Sequence, residues 1–199
     1  MRVNKINKAL ILLATELEAK PWISTLGNPQ TTIGPLQFYT GQTHDVLITG
    51  IGPLSSATSC GWATQFNHSR WFNLGVAGSL KNKLHYGDII EVRTTTFDPL
   101  PFGLPQELAT QDTNAKGRLV TVVQPIHDQA VRERLGLCHD VVDMEGFPIA
   151  LAAHHMHCQL SIIKIVSDEC NTHDQPLIRA RIPGLMHQLW DYWSQHHAL

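Results

Sequence analysis

The sequence predicts an α/β fold in which a sheet is buried between layers of helices. Short apolar runs recur along the chain and alternate with longer helical patterns. These runs lack the polar alternation of a half-exposed sheet, so both faces of their strands are expected to be covered. With 199 residues, 43% of them hydrophobic, the chain suits a single domain over residues 1–199 with a full core.

Seven runs read as strands: residues 10–14, 46–49, 71–76, 88–92, 119–123, 141–142 and 160–166. Between them, residues 17–26, 55–67, 128–135, 147–157 and 177–196 read as helices. The last carries Leu185, Met186, Leu189, Trp190 and Trp193 at helical spacing, which marks a core-facing stripe. Residues 38–48, around Gly41, read as a hairpin. The segment 97–105 holds three prolines and a glycine among Phe97, Leu100, Phe102 and Leu104. It is expected to form an irregular apolar loop, a type that lines ligand sites or subunit contacts. No internal repeat, low-complexity tract or linker interrupts the chain.

A net charge of -2, without long blocks of like charge, argues against nucleic acid or an anionic membrane as the main partner. Cys60, Cys138, Cys158 and Cys170 form no C-x-x-C pair, the scatter expected of reduced thiols in a cytoplasmic protein. Arg2, Lys5 and Lys8 precede the apolar run from Ala9 to Ala14, which is too short for a signal peptide or a membrane span. It reads as the first buried strand.

Gly50-Ile51-Gly52-Pro53 follows a strand and precedes a helix. Ser55 replaces the third glycine of a dinucleotide fingerprint and no P-loop Lys-Ser/Thr follows, so no cofactor is expected. A tight turn near a small ligand fits better. Gly75-Val76-Ala77-Gly78-Ser79 also follows a strand, either as a plain turn or as a place for substrate to lie against the main chain. His154, His157 and Cys158 have spacing that suits zinc, but no nearby acid completes the set and histidines suit a helix C-terminus, so no metal is expected. A zinc hydrolase built on this cluster remains a rival class.

Three carboxylates stand at strand ends: Glu18, Glu145 in Val142-Asp143-Met144-Glu145-Gly146, and Asp168. Open α/β folds gather ligands at such edges. Any one of these acids is explained as well by helix capping or by pairing with Arg179 or Arg181. Three at equivalent junctions point to an active site.

The ordered set Ala14-Thr15-Glu16-Leu17-Glu18, Gly50-Ile51-Gly52, Gly75-Val76-Ala77-Gly78, Gly87-Asp88-Ile89-Ile90, Met144-Glu145 and Val166-Ser167-Asp168 resembles the nucleoside phosphorylase/nucleosidase superfamily. The likeness is greatest to 5'-methylthioadenosine/S-adenosylhomocysteine nucleosidases and futalosine hydrolases, and it runs from about Leu10 to Asp168. It implies a mixed, partly barrel-like central sheet flanked by helices, and a homodimer whose neighbouring subunit closes the 5' end of the pocket. The 97–105 loop, with Phe102, is the candidate for that wall. By resemblance, Glu145 grips the ribose hydroxyls with Met144 against the sugar. Glu18 activates water, and Asp168, steadied by Ser167, protonates purine N7. Ile51, Val76, Ala77 and Gly78 line sugar and base.

Breaking a ribosyl C–N bond passes through an oxocarbenium-like sugar and requires an acid for the departing base. Burial of Asp168 is expected to keep it able to donate a proton near neutral pH. Glu16 and Glu18 would repel phosphate, so water is the expected nucleophile. Asp168 suits a 6-amino purine, because a carboxylate accepts from an exocyclic amine. The implied activity is cleavage of a 5'-modified adenine nucleoside, with aminodeoxyfutalosine from menaquinone biosynthesis first and methylthioadenosine/S-adenosylhomocysteine as the alternative. A non-catalytic nucleoside sensor is the third reading. Departures from the family pattern are a missing base-stacking aromatic in Thr121-Val122-Val123-Gln124-Pro125-Ile126-His127, where Ile126 is the remaining contact candidate, Lys164 in place of Arg, and a shortened stretch near residues 98–112.

Overall fold

The computed structural model describes residues 6–24, 26–66, 68–170 and 175–197. Arg2 and Lys5, and Asn67 at the expected end of the second helix, lie outside them. Chain order runs β1 (Ile6–Leu13), α1 (Glu16–Ile23), β2 (Thr31–Ile33), β3 (Leu36–Thr40), β4 (His44–Ile48) and α2 (Pro53–Ala63). It continues through β5 (His68–Ser79), β6 (Ile89–Asp98), β7 (Leu108–Ala109), β8 (Gly117–Val122) and α3 (Gln129–Gly136). The last elements are β9 (Val141–Asp143), α4 (Gly146–His155), β10 (Gln159–Asp168) and α5 (Gln175–His196).

Five strands close into a barrel-like ring: β5 pairs β9, β9 pairs β8, β8 pairs β6, β6 pairs β10, and β10 returns to β5. From β5 the sheet continues outward through β1, β4, β3 and β2. Strands β1, β4, β5 and β10 run parallel, so their C-terminal ends meet along one edge.

The two-sided burial read from the apolar runs is visible residue by residue. Along β1, Ala9, Ile11 and Leu13 face a core shared with α1 and α5, while Leu10 and Leu12 face one shared with α2 and α4. In the first core Trp22 packs edge-on against Trp190 at 5.3 Å and Trp193 at 6.4 Å, which anchors α1 to α5. Burying side chains of this size contributes about 1.5–3 kcal/mol each.

Two sequence readings change. Residues 75–79 are the continuation of β5, because Gly78 and Ser79 pair with Val142 and Val141. The apolar segment at 97–105 is only partly irregular. Phe97 and Asp98 extend β6, and Phe97 packs on Phe147 at 5.7 Å. Leu104 packs on the core, whereas Phe102 is fully exposed. No disulfide joins Cys60, Cys138, Cys158 and Cys170. Among the described residues no helix is long and apolar enough to cross a membrane.

Candidate active site

At the edge where the parallel strands end, a cavity of about 310 Å³ opens. Glu18, Glu145 and Asp168 all line it, as do Ser167, Met144, Ile51, Val76, Ala77, Gly78 and Ile126. Glu18 follows β1, Glu145 follows β9, Asp168 ends β10 and residues 76–78 belong to β5 itself; closure of the ring, in which β9 runs antiparallel to β5, brings them together.

Glu18 is placed by a capping box. Thr15 leaves β1 in extended conformation and caps α1: its hydroxyl accepts from Glu18 N–H at 3.2 Å. In return Glu18 Oε2 accepts from Thr15 N–H at 3.0 Å and from its hydroxyl at 2.9 Å. Read from the sequence, this helix starts at residue 17; the Thr-x-x-Glu spacing at residues 15–18, left unused in that reading, marks the cap at Thr15. Glu18 Oε1 accepts from Val76 N–H at 3.2 Å, so a strand amide fixes the other oxygen. A Cβ at Gly75 would lie 2.9 Å from that oxygen; the carboxylate fits only because position 75 has no side chain. Burial raises the Glu18 carboxyl above its usual range, against the lowering effects of the Val76 amide, the Lys164 charge and Thr15. That is the direction a proton acceptor near neutral pH needs.

Glu145 stands at the start of α4, and its Oε1 accepts from Gly52 N–H at 2.7 Å. Gly50 (φ 82°) and Gly52 (φ 92°) form the turn that offers this amide. Burial, and next the neighbouring Asp143 charge, push Glu145 up to about 8. Asp143 and Lys164, which sequence reading did not select, form a buried ion pair at 2.9 Å beneath it. Lys164 sits in a mostly apolar strand, and only the ring, in which β9 and β10 both flank β5, reveals its partner.

Asp168 ends β10. Its Oδ2 accepts from Ser167 Oγ–H at 2.6 Å and its Oδ1 from Cys170 N–H at 2.7 Å. It is half-buried, not buried as the sequence argument required, because it stands at the open rim. A Cβ at Gly78 would lie 2.3 Å from Cys170 Sγ and 3.3 Å from Asp168 Oδ1, so this glycine admits the tight turn after β10.

The remaining lining is aliphatic, with Val122, Val142, Ile178 and Ile182 among it. Among the described residues His127 supplies the only aromatic ring on the wall. Phe102 does not line the cavity of its own chain; the turn that carries it faces solvent. Cys158 lies past the far end of α4, with its thiol on the His68 carbonyl at 3.1 Å. His154 is about 12 Å along that helix from Gly146, so the histidine cluster and the cavity are separate places.

A sequence-family model, the Phosphorylase superfamily, matches residues 106–182. No functionally curated protein matches the chain by sequence. Among solved structures, the 5'-methylthioadenosine/S-adenosylhomocysteine nucleosidase of Helicobacter pylori, in complex with butyl-thio-DADMe-Immucillin-A, has a TM-score of 0.85 at 16% identity, covering 96% of this chain and 98% of its own. A futalosine hydrolase mutant of the same species has a TM-score of 0.84 at 17% identity, covering 95% and 97%. The 5'-methylthioadenosine/S-adenosylhomocysteine nucleosidase of Neisseria meningitidis, in complex with methylthio-immucillin-A, has a TM-score of 0.78 at 20% identity, covering 92% and 97%. The expected fold, with its barrel-like mixed sheet, is therefore the observed one.

Proposed function

We propose that this chain, with its nucleoside phosphorylase-like fold, hydrolyses the N-glycosidic bond of purine nucleosides. The observation that carries the reading is the convergence of Glu18, Glu145 and Asp168 on one mostly aliphatic cavity. In the proposed chemistry Asp168, with Ser167, supplies the proton to purine N7 while Glu145 holds the ribose hydroxyls. Charge then develops on the sugar as the C–N bond breaks. Glu18, with its raised proton affinity, takes a proton from water attacking the anomeric carbon. Met144, Ile51, Val76, Ala77, Gly78 and Ile126 exclude solvent around sugar and base.

Water is favoured over phosphate because no Lys or Arg is among the described residues lining the cavity. Lys164 is engaged by Asp143. A phosphate would meet carboxylates without the arginine fork that holds such anions.

The favoured substrate is a 5'-modified adenine nucleoside, aminodeoxyfutalosine first, since Asp168 accepts from an exocyclic amine. Methylthioadenosine/S-adenosylhomocysteine is the alternative. In this reading the protein is a cytoplasmic homodimer, and Phe102, which its own chain leaves exposed, closes the 5' end of a neighbour's cavity. Chromatographic detection of adenine decides among substrates: faster release from aminodeoxyfutalosine than from methylthioadenosine is expected, and the reverse order would sink the assignment.

A further inference from the structure

The helix that presents Glu145 is capped by residues other than Glu145. Ordinarily the N-cap side chain itself accepts from the second or third amide of its helix. Glu145 occupies that position in α4 and makes no such bond; its carboxylate is committed to Gly52. The first-turn amides are met from other elements. Gly146 N–H donates to Asp143 Oδ2 at 2.9 Å, and Phe147 N–H donates to Thr121 Oγ1 at 2.8 Å. Thr121 in turn donates its hydroxyl to Asp143 Oδ1 at 2.7 Å, and Lys164 Nζ lies 2.9 Å from Asp143 Oδ2. Three donors, from β8, α4 and β10, thus hold one carboxylate from β9.

Stability alone does not account for this network. A buried ion pair is often no more stabilising than apolar residues of the same volume, because desolvation offsets the attraction. What the network does is satisfy the start of α4, so that the long Glu145 side chain is free to extend into the cavity. Without it, the capping role that an N-cap side chain ordinarily takes would fall to the Glu145 carboxylate.

We propose that Thr121 and Asp143 are positioning residues for sugar recognition: they cap α4 in place of Glu145 and so direct its carboxylate toward the ribose hydroxyls. This rests on the reading of Glu145 as the ribose ligand.

Thr121→Val tests it, since it keeps shape and charge while removing one acceptor and one donor. In purine-release assays, KM for an adenine riboside is expected to rise about tenfold or more with a smaller change in kcat, as misplacement by an ångström commonly costs that much. For the 3'-deoxy analogue, which offers Glu145 one hydroxyl fewer, the rise shrinks to about twofold on the same grounds. Thr121→Ser restores the wild-type KM. Equal factors on both substrates, or no rescue by serine, overturn the proposal. Should the wild-type enzyme release purine from no nucleoside, it is the hydrolase reading that fails. The positioning claim is then judged by a crystal structure of Thr121→Val: Glu145 turned back onto the α4 amides supports it, and Glu145 still on Gly52 overturns it.

Discussion

Gly75→Ala probes the placement of Glu18 without touching a carboxylate. A methyl group at residue 75 meets Glu18 Oε1 at 2.9 Å, several tenths of an ångström inside ordinary contact, so either the strand or the carboxylate must give way. Residue 75 is paired on one side only, with Lys164 of β10, because β1 pairs β5 up to Asn73 and β9 begins at Gly78; the methyl therefore both strains a φ of 153° and displaces the carboxylate. Oε1 is already 3.2 Å from the Val76 amide, and a retreat of about half an ångström takes it out of hydrogen-bonding range. Hydrogen bonds to charged groups contribute about 1.5–3 kcal/mol. If that loss falls on the water-activating step, kcat drops about 10- to 100-fold while KM changes little. The assay is initial-rate adenine release by the alanine variant beside a thermal melt. The melt should fall by several degrees as well, because a side chain at a φ of 153° adds strain of about 1–3 kcal/mol, at about 2–4 °C per kcal/mol for a chain of this size. Near-normal kcat in a folded variant would refute the claim that the Val76 amide and the bare Gly75 position set the geometry of the base.

Asp168→Asn should lower kcat by about 10²- to 10⁴-fold with the melting temperature unchanged, the range for losing a general acid; near-normal turnover contradicts the role. Glu145 predicts a pH effect on the ligand-free protein. Its carboxyl is raised from 4.5 to about 8, so between those values the folded state holds a proton that the unfolded chain has released. Stability from this group is full below pH 4.5 and is lost as pH rises through 8. Glu145→Gln should therefore flatten the decline in thermal midpoint measured by calorimetry from pH 5 to 9, and an unchanged slope counts against it. Phe102→Ala should leave the melting temperature near wild type while raising KM for nucleosides with bulky 5' groups more than for adenosine; equal KM changes remove Phe102 from the pocket.

The sequence made the layered fold and the three acids legible because both depend on local pattern. The apolar runs of β1 and β10 are buried on both faces, and Glu18 stands in the first turn of the helix after β1, Glu145 just past β9 and Asp168 at the end of β10. The barrel closure was implied by the family resemblance alone and not by local pattern, since β5 meets β10 through residues such as Gly75 and Lys164 that lie far apart in the chain. Gly75 to Ser79 read either as a turn or as a place for substrate against the main chain, because glycines weaken strand signals; pairing with β9 and β10 keeps them in the ladder, and residues 76–78 line the cavity. Asp143 was overlooked beside Glu145, and Lys164 was noted only for replacing an arginine. Their buried pairing is a tertiary fact. Phe102 was read as pocket wall from its apolar loop, and its own chain leaves it in solvent.

Purine release across a panel of 5'-modified adenosines and inosines, with and without inorganic phosphate, tests the central claim most directly. The account predicts free adenine and a free reducing sugar, at rates indifferent to phosphate and higher for adenines than for hypoxanthines. Release that requires phosphate and yields a sugar 1-phosphate would contradict the hydrolytic mechanism, and no release from any member would contradict the enzymatic reading altogether.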